Sequence, residues 1–82
     1  MYNNYIGSEV VVIVSSRAEA LWEYIGVLSE VDDNFLKLKS VEINQMMLNF
    51  QKNMFGAGMG AYENNIDEVI INKNYIISCY KK

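Results

Sequence analysis

The 82 residues of this chain suffice for one small domain, and 51% of them are hydrophobic while only 21% are charged. A domain of this size buries only about 60% of the surface of its unfolded chain, so the apolar excess predicts contact with another subunit. The net charge of −3 excludes a general nucleic-acid binder that relies on excess lysine and arginine, so any nucleic-acid binding requires a local site.

Two strands are predicted in the first part of the chain. Glu9–Ser15 is an unbroken β-branched run, and its length and continuous apolar character are typical of a strand buried on both faces. Residues 21–31 are rich in aromatic and β-branched side chains and predict a second, longer strand. Gly26 interrupts it, and a glycine inside a strand indicates a sharp bend.

A third strand is predicted over residues 35–43, after a tight turn at 32–34 built from aspartate and asparagine. Its first half alternates leucine with lysine, but Val41 and Ile43 fall on the opposite phase. A bulge or a strong bend near Ser40 would return all the apolar side chains to one face.

Residues 44–66 form a long excursion between the third and fourth strands. The methionine and phenylalanine side chains of residues 44–55 fit either a short amphipathic helix or an extended hairpin arm. The glycine-rich run 56–60 fits a flexible tip. Both interpretations place an apolar segment outside the main body of the domain.

Two further β-branched runs predict the last strands, at 68–71 and 75–80, separated by the turn 72–74. Five short strands with short turns and one long excursion are typical of a small, strongly bent antiparallel barrel. The predicted fold class is therefore all-β, with residues 1–82 forming one domain.

The stretch Gly26–Asp32 followed by Phe35-Leu36-Lys37-Leu38 resembles the first motif of Sm and LSm proteins. That motif has a strand glycine, a hydrophobic residue two positions later, an aspartate six positions after the glycine, and then a short apolar strand. The segment 26–40 is also similar, without gaps, to the Hfq-like members of the family. Ile71–Ile77 lies where the family has its second motif, and Lys73 matches the lysine that Hfq-like members carry there.

The resemblance implies an N-terminal helix, here short or absent, followed by a five-stranded bent sheet. It also implies a homo-oligomeric ring of about five to seven subunits, in which the fourth strand of one subunit pairs with the fifth strand of the next. Such pairing would cover two edges that are an aggregation hazard in a monomer. The expected interface residues are Val69, Ile70, Ile71, Tyr75, Ile76 and Ile77.

The resemblance further implies a pore site for short single-stranded RNA, U- or A-rich, and a post-transcriptional role. The expected RNA-binding residues are Asp32, Asn34, Phe35, Lys73 and Asn74. A base would stack on Phe35, its edge would be read by Asn34 or Asn74, and Lys73 would meet phosphate.

A second hypothesis is a structural or protein-interaction ring that binds no RNA and docks a protein partner through its Met- and Phe-rich arm, residues 44–60. It is favoured by Leu36, which stands where Sm proteins have asparagine. It is also favoured by Lys73-Asn74, which stands where most of them have Arg-Gly.

Enzymatic and metal-binding functions have weaker support in the sequence. Asp32 and Asp33 resemble a carboxylate pair for metal or acid–base chemistry, but adjacent aspartates in a turn are usually solvated. The chain has no histidine, so neither Cys79 nor any serine has a histidine base. We therefore expect no catalytic residue, no metal and no cofactor.

The expected location is the cytoplasm, without membrane association. Cys79 is the only cysteine, so no internal disulfide forms and a reducing compartment is expected. The polar start, residues 1–5, differs from a secretory signal. No apolar stretch approaches the roughly 20 residues that a membrane helix needs.

Overall fold

The structure is a computed structural model and describes residues 2–15, 21–46 and 59–82. It confirms the all-β prediction. The only helical segments in these ranges are two short 3₁₀ turns, and the first of them lies at the N-terminal end, where the resemblance implied a helix that is short or absent. In chain order the elements are an N-terminal turn Tyr2–Tyr5, β1 Glu9–Ser15, β2 Leu21–Val31, β3 Phe35–Met46, β4 Met59–Asn72, a second turn Lys73–Tyr75 and β5 Ile76–Lys81.

The five strands form a single antiparallel sheet in the order β4-β3-β2-β1-β5. The predicted barrel is wrong in its closure, because β4 pairs only with β3 and β5 only with β1 within the described ranges. After the turn that follows β4, β5 pairs with β1 and does not return along β4. Asn72 and Ile76 are four residues apart, at most about 14 Å, so the two sheet edges approach each other at this end without forming a ladder.

β1 lies between β2 and β5 and has the predicted bounds. Val10 and Val12 are fully buried in the core on one face, and Val11, which points to the other face, is only 4% exposed. The prediction of a strand buried on both faces is therefore confirmed for this part of β1. Side chains of a strand alternate between its two faces, so an unbroken run of valine supplies apolar side chains to both.

Three strands bend along one line across the sheet. One residue of β2, Gly26, lies opposite two residues of β3, Ser40 and Val41, which is the geometry of a β-bulge. Ser40 has a left-handed backbone, with φ of 55°. Asn65 lies in a second bulge, on β4, and is also left-handed, with φ of 60°. The bulge predicted near Ser40 is confirmed.

The concave face of the bent sheet holds the hydrophobic core. The bulge at Ser40 reverses the phase of β3, so the apolar residues before and after it point to the same side. The core residues are Val10, Val12, Val14, Leu28, Leu36, Leu38, Val41, Ile43 and Ile71. Four of these nine residues, Leu36, Leu38, Val41 and Ile43, belong to β3, so β3 contributes more to the core than any other strand.

Gly26 is required by the close approach of β3. A Cβ atom at this position would lie 2.9 Å from the Lys39 carbonyl oxygen and 3.0 Å from Cγ2 of Val41. Both distances are shorter than an ordinary van der Waals contact, and the carbonyl belongs to the backbone, so it cannot rotate away. The predicted bend at Gly26 thus lies beside the bulge of the neighbouring strand.

The excursion predicted at 44–66 is shorter in the structure. β3 continues to Met46 and β4 begins at Met59, with Asn44 opposite Ala61. Residues 44–46 pair with both β2 and β4, so the sheet continues past the predicted end of the strand. The Asn44 amide is buried and donates to Glu23 Oε1 at 3.1 Å and to Glu42 Oε2 at 2.9 Å. The base of the excursion is an extended hairpin arm, and the helical interpretation is wrong for residues 44–46; residues 47–58 lie outside the described ranges.

Candidate nucleic-acid interface

Two polar turns lie side by side at one end of the sheet. The backbone N–H of Lys73 donates to the carbonyl oxygen of Asn34 at 2.9 Å, and Phe35 is paired with Asn72 across β3 and β4. Residues 32–35 and 72–74 are therefore neighbours although they are about 40 positions apart in sequence. All five residues predicted to bind RNA belong to these two turns or adjoin them. We call this region the turn end of the sheet.

Each turn is held by an acidic or amide side chain that folds back onto the main chain. Asp32 Oδ1 accepts from the Asn34 N–H at 3.0 Å, and Asn72 Oδ1 accepts from the Asn74 N–H at 2.8 Å. Aspartate and asparagine favour this conformation because their short side chains reach the N–H two residues ahead. Asp32 thus stabilises the tight turn predicted at 32–34, and its contact with RNA stays a prediction.

Asn72 has the matching role in the second turn, and sequence reasoning missed it. The signal was present, since Asp32-Asp33-Asn34 and Asn72-Lys73-Asn74 share an Asx residue two positions before an asparagine. The same local chemistry therefore builds both turns. It leaves the side chains of Asn34 and Asn74 exposed to solvent.

Phe35 is half-buried beside these amides. Among the described residues, those that pack against the core cluster do not include it, so it differs from a core phenylalanine. A half-exposed ring next to exposed amide groups has the composition of a base-stacking site.

Lys73 points toward the N-terminal turn. Its Nζ lies 5.3 Å from the centroid of the Tyr2 ring, within the range of a cation–π contact. No carboxylate lies within ion-pair distance of Lys73 in the described part of the chain. Lys73 is half-buried, and its ammonium group lies over an aromatic ring that sequence reasoning did not include.

The other described ion pairs lie elsewhere on the sheet. Lys37 contacts Glu30 at 3.2 Å and Glu68 at 4.0 Å, and Lys82 contacts Glu9 at 3.7 Å. Because these lysines face carboxylates, they offer less net positive charge to a phosphate than Lys73 does.

The acidic residues of the chain do not assemble into a metal site in the described ranges, where no group of three or more histidine, cysteine, aspartate or glutamate side chains could hold an ion. Burial raises the pKa of the Cys79 thiol, which favours the neutral form over the reactive thiolate. Cys79 packs against the core from β5, as a structural cysteine does.

An open cleft of about 410 Å³ lies between the start of β2 and the end of β4, where the two sheet edges approach each other. Trp22 and Tyr24 line it and also pack against the core. Burial raises the pKa of Tyr24, so its hydroxyl stays protonated at neutral pH.

The residues predicted to form a subunit interface divide into two groups. Ile70, Tyr75 and Ile77 are each more than half exposed, at 59%, 58% and 58%. The others face the concave side: Ile71 is buried in the core, while Val69 and Ile76 pack against it. The exposed group therefore forms apolar surface next to the unpaired edges of β4 and β5.

Comparisons of the chain with protein-family models, with curated proteins and with solved structures found no match. No helix in the described ranges has the length and apolar character needed to cross a membrane.

Proposed function

We propose that this chain is an Sm-like protein that forms a homo-oligomeric ring and binds short single-stranded RNA at the turn end of the sheet. The observation that carries this proposal is the contact between the two turns, in which the Lys73 N–H donates to the Asn34 carbonyl oxygen at 2.9 Å. It places side by side the two turns whose residues include Asn34, Lys73 and Asn74, with Phe35 adjoining the first turn.

The proposed ring is supported by the strand order and by the exposed edges. β4 and β5 lie at opposite edges of the sheet, and these are the strands that pair between subunits in the resembling family. An open edge with exposed isoleucine and tyrosine beside it favours pairing with another chain. A head-to-tail contact that closes satisfies both edges of every subunit.

The proposed RNA site follows from the chemistry of the turn end. A base stacks on the half-exposed face of Phe35, and the amides of Asn34 and Asn74 offer both donors and acceptors to its edge. Lys73 binds the phosphate. In a ring every subunit contributes one Lys73, so a set of positive charges surrounds one opening although each chain carries a net charge of −3.

Fluorescence anisotropy with labelled oligo-U and oligo-A at two salt concentrations tests the RNA proposal. We expect submicromolar binding of at least one of them at low salt, and weaker binding at high salt because phosphate contacts release counterions. Lys73→Ala should weaken binding at least tenfold, since the loss repeats around the ring, and should reduce the salt dependence.

Lys39→Ala is the matched control, because it removes the same charge from an exposed side chain of β3 outside the two turns. We expect it to change the Kd less than about threefold through long-range charge alone. Equal losses in the two variants would show that the turn end is not the binding site, and no binding at low salt would reject the RNA proposal.

A structural or protein-interaction ring without RNA is the second candidate. Asp32 and Asp33 favour it, because they place two exposed carboxylates in the first turn, where they repel phosphate. A ring that binds neither oligonucleotide would support this candidate. Residues 44–60, the arm predicted to dock a protein partner, lie mostly outside the described ranges.

A further inference from the structure

The N-terminal turn is fixed to the sheet next to the turn end. The Gly7 N–H donates to the Leu28 carbonyl oxygen at 2.8 Å, and the Leu28 N–H donates to the Ser8 carbonyl oxygen at 3.0 Å. Tyr2 and Tyr5 both pack against the core from this turn. The position of the Tyr2 ring is therefore set by contacts that do not involve Lys73.

We infer that Tyr2 is a positioning residue for RNA binding, which holds the Lys73 ammonium in place for phosphate through its ring. This inference rests on the proposed function and adds a residue to its site. Lys73 is fixed at two points: its backbone N–H bonds to Asn34, and its Nζ lies 5.3 Å from the ring centroid of Tyr2.

The physical reason is preorganisation. A free lysine side chain loses much of its rotamer freedom when it binds a phosphate, and this loss weakens binding. A lysine that already lies over an aromatic ring has lost that freedom before RNA arrives. Unlike a carboxylate partner, an aromatic ring does not compete with phosphate for the hydrogen bonds that the ammonium donates.

A double-mutant cycle on RNA affinity tests the inference. We expect Tyr2→Leu to weaken binding of the oligonucleotide that the wild type prefers about three- to tenfold. In the Lys73→Ala background the same substitution should cause no further loss, because a positioning residue acts only through the residue it positions. Tyr2→Phe keeps the ring and should bind within about twofold of the wild type.

Tyr5→Leu is the matched control, since it removes an aromatic side chain from the same turn and the same core contact. We expect its affinity to stay within about twofold of the wild type. Variants are compared at equal oligomer mass. If Tyr2→Leu lowers that mass, Tyr2→Met takes its place in the cycle.

A second readout follows the contact without RNA. The ε-methylene protons of Lys73 should show an upfield ring-current shift by NMR in the wild type and in Tyr2→Phe, and lose it in Tyr2→Leu. If the wild type binds RNA and Tyr2→Leu binds it with the same affinity, the positioning role alone is overturned. The same conclusion follows if Tyr5→Leu weakens binding as much as Tyr2→Leu does. Failure of the wild type to bind either RNA would reject the proposed function and the positioning role together, while the NMR shift would still report on the contact.

Discussion

The concave face of the sheet and its turn end are built by different physics. The concave face is a continuous set of aliphatic side chains, several of them fully buried, from all five strands. The turn end is mainly exposed and polar, and in each of its turns the side chain of Asp32 or Asn72 accepts one hydrogen bond from a main-chain N–H. Stability therefore resides mainly in the concave face, and the turn end is free to carry function.

The largest effect should come from truncating the concave face. Leu38 is fully buried in β3, and we expect Leu38→Ala to lower the free energy of unfolding by about 2–5 kcal/mol, because it removes apolar contacts and leaves a cavity. Urea denaturation at one fixed protein concentration measures this, since oligomer stability depends on concentration.

Val27→Ala is the control, because Val27 is 37% exposed on the opposite side of β2. This substitution should lower the free energy of unfolding clearly less than Leu38→Ala does. Equal losses in the two variants would mean that the core is not where the structure places it.

A smaller effect is expected where two strands approach each other closely. Gly26→Ala adds a Cβ atom 2.9 Å from a backbone oxygen of β3, and overpacking of this kind costs about 1–3 kcal/mol. The same urea experiment measures it. A Gly26→Ala variant as stable as the wild type would show that the bend does not depend on glycine.

The smallest effect should come from the turn end. Asp32→Ala removes the acceptor for the Asn34 N–H and should lower the free energy of unfolding by about 0.5–1.5 kcal/mol. Asp32→Asn keeps an acceptor oxygen at the same place, so we expect a change within about 0.5 kcal/mol. If both variants lower the free energy of unfolding as much as Leu38→Ala does, the turn end contributes as much to stability as the concave face. The contrast between the two regions is then wrong.

The residues of the concave face could be predicted from the sequence because successive side chains of a strand point to opposite faces of the sheet. The change of phase between Leu38 and Val41 required an extra residue near Ser40, and the structure has a bulge there. Closure of the barrel was not predictable in the same way. Whether the two edge strands form a ladder depends on the path of the chain through residues 73–75. The hydrophobic periodicity of the sequence does not predict that path.

The turn end was predicted in composition but not in detail. The five candidate residues do lie in or beside two adjacent turns, and the turn at 32–34 was predicted from its aspartates and asparagine, whereas the matching hydrogen bond of Asn72 was missed. Tyr2 was missed because its contact with Lys73 joins two residues far apart in sequence. A tyrosine in a polar N-terminal stretch carries no signal of that contact.

The proposed function depends on the ring, and the solution mass tests it most directly. Light scattering during size exclusion, over a dilution series of the wild-type protein, should give a stable mass of about five to seven chains of 9.4 kDa each. That result would mean that the unpaired edges of β4 and β5 meet between subunits. A stable monomer or dimer at all concentrations would contradict the ring and with it the pore site for RNA.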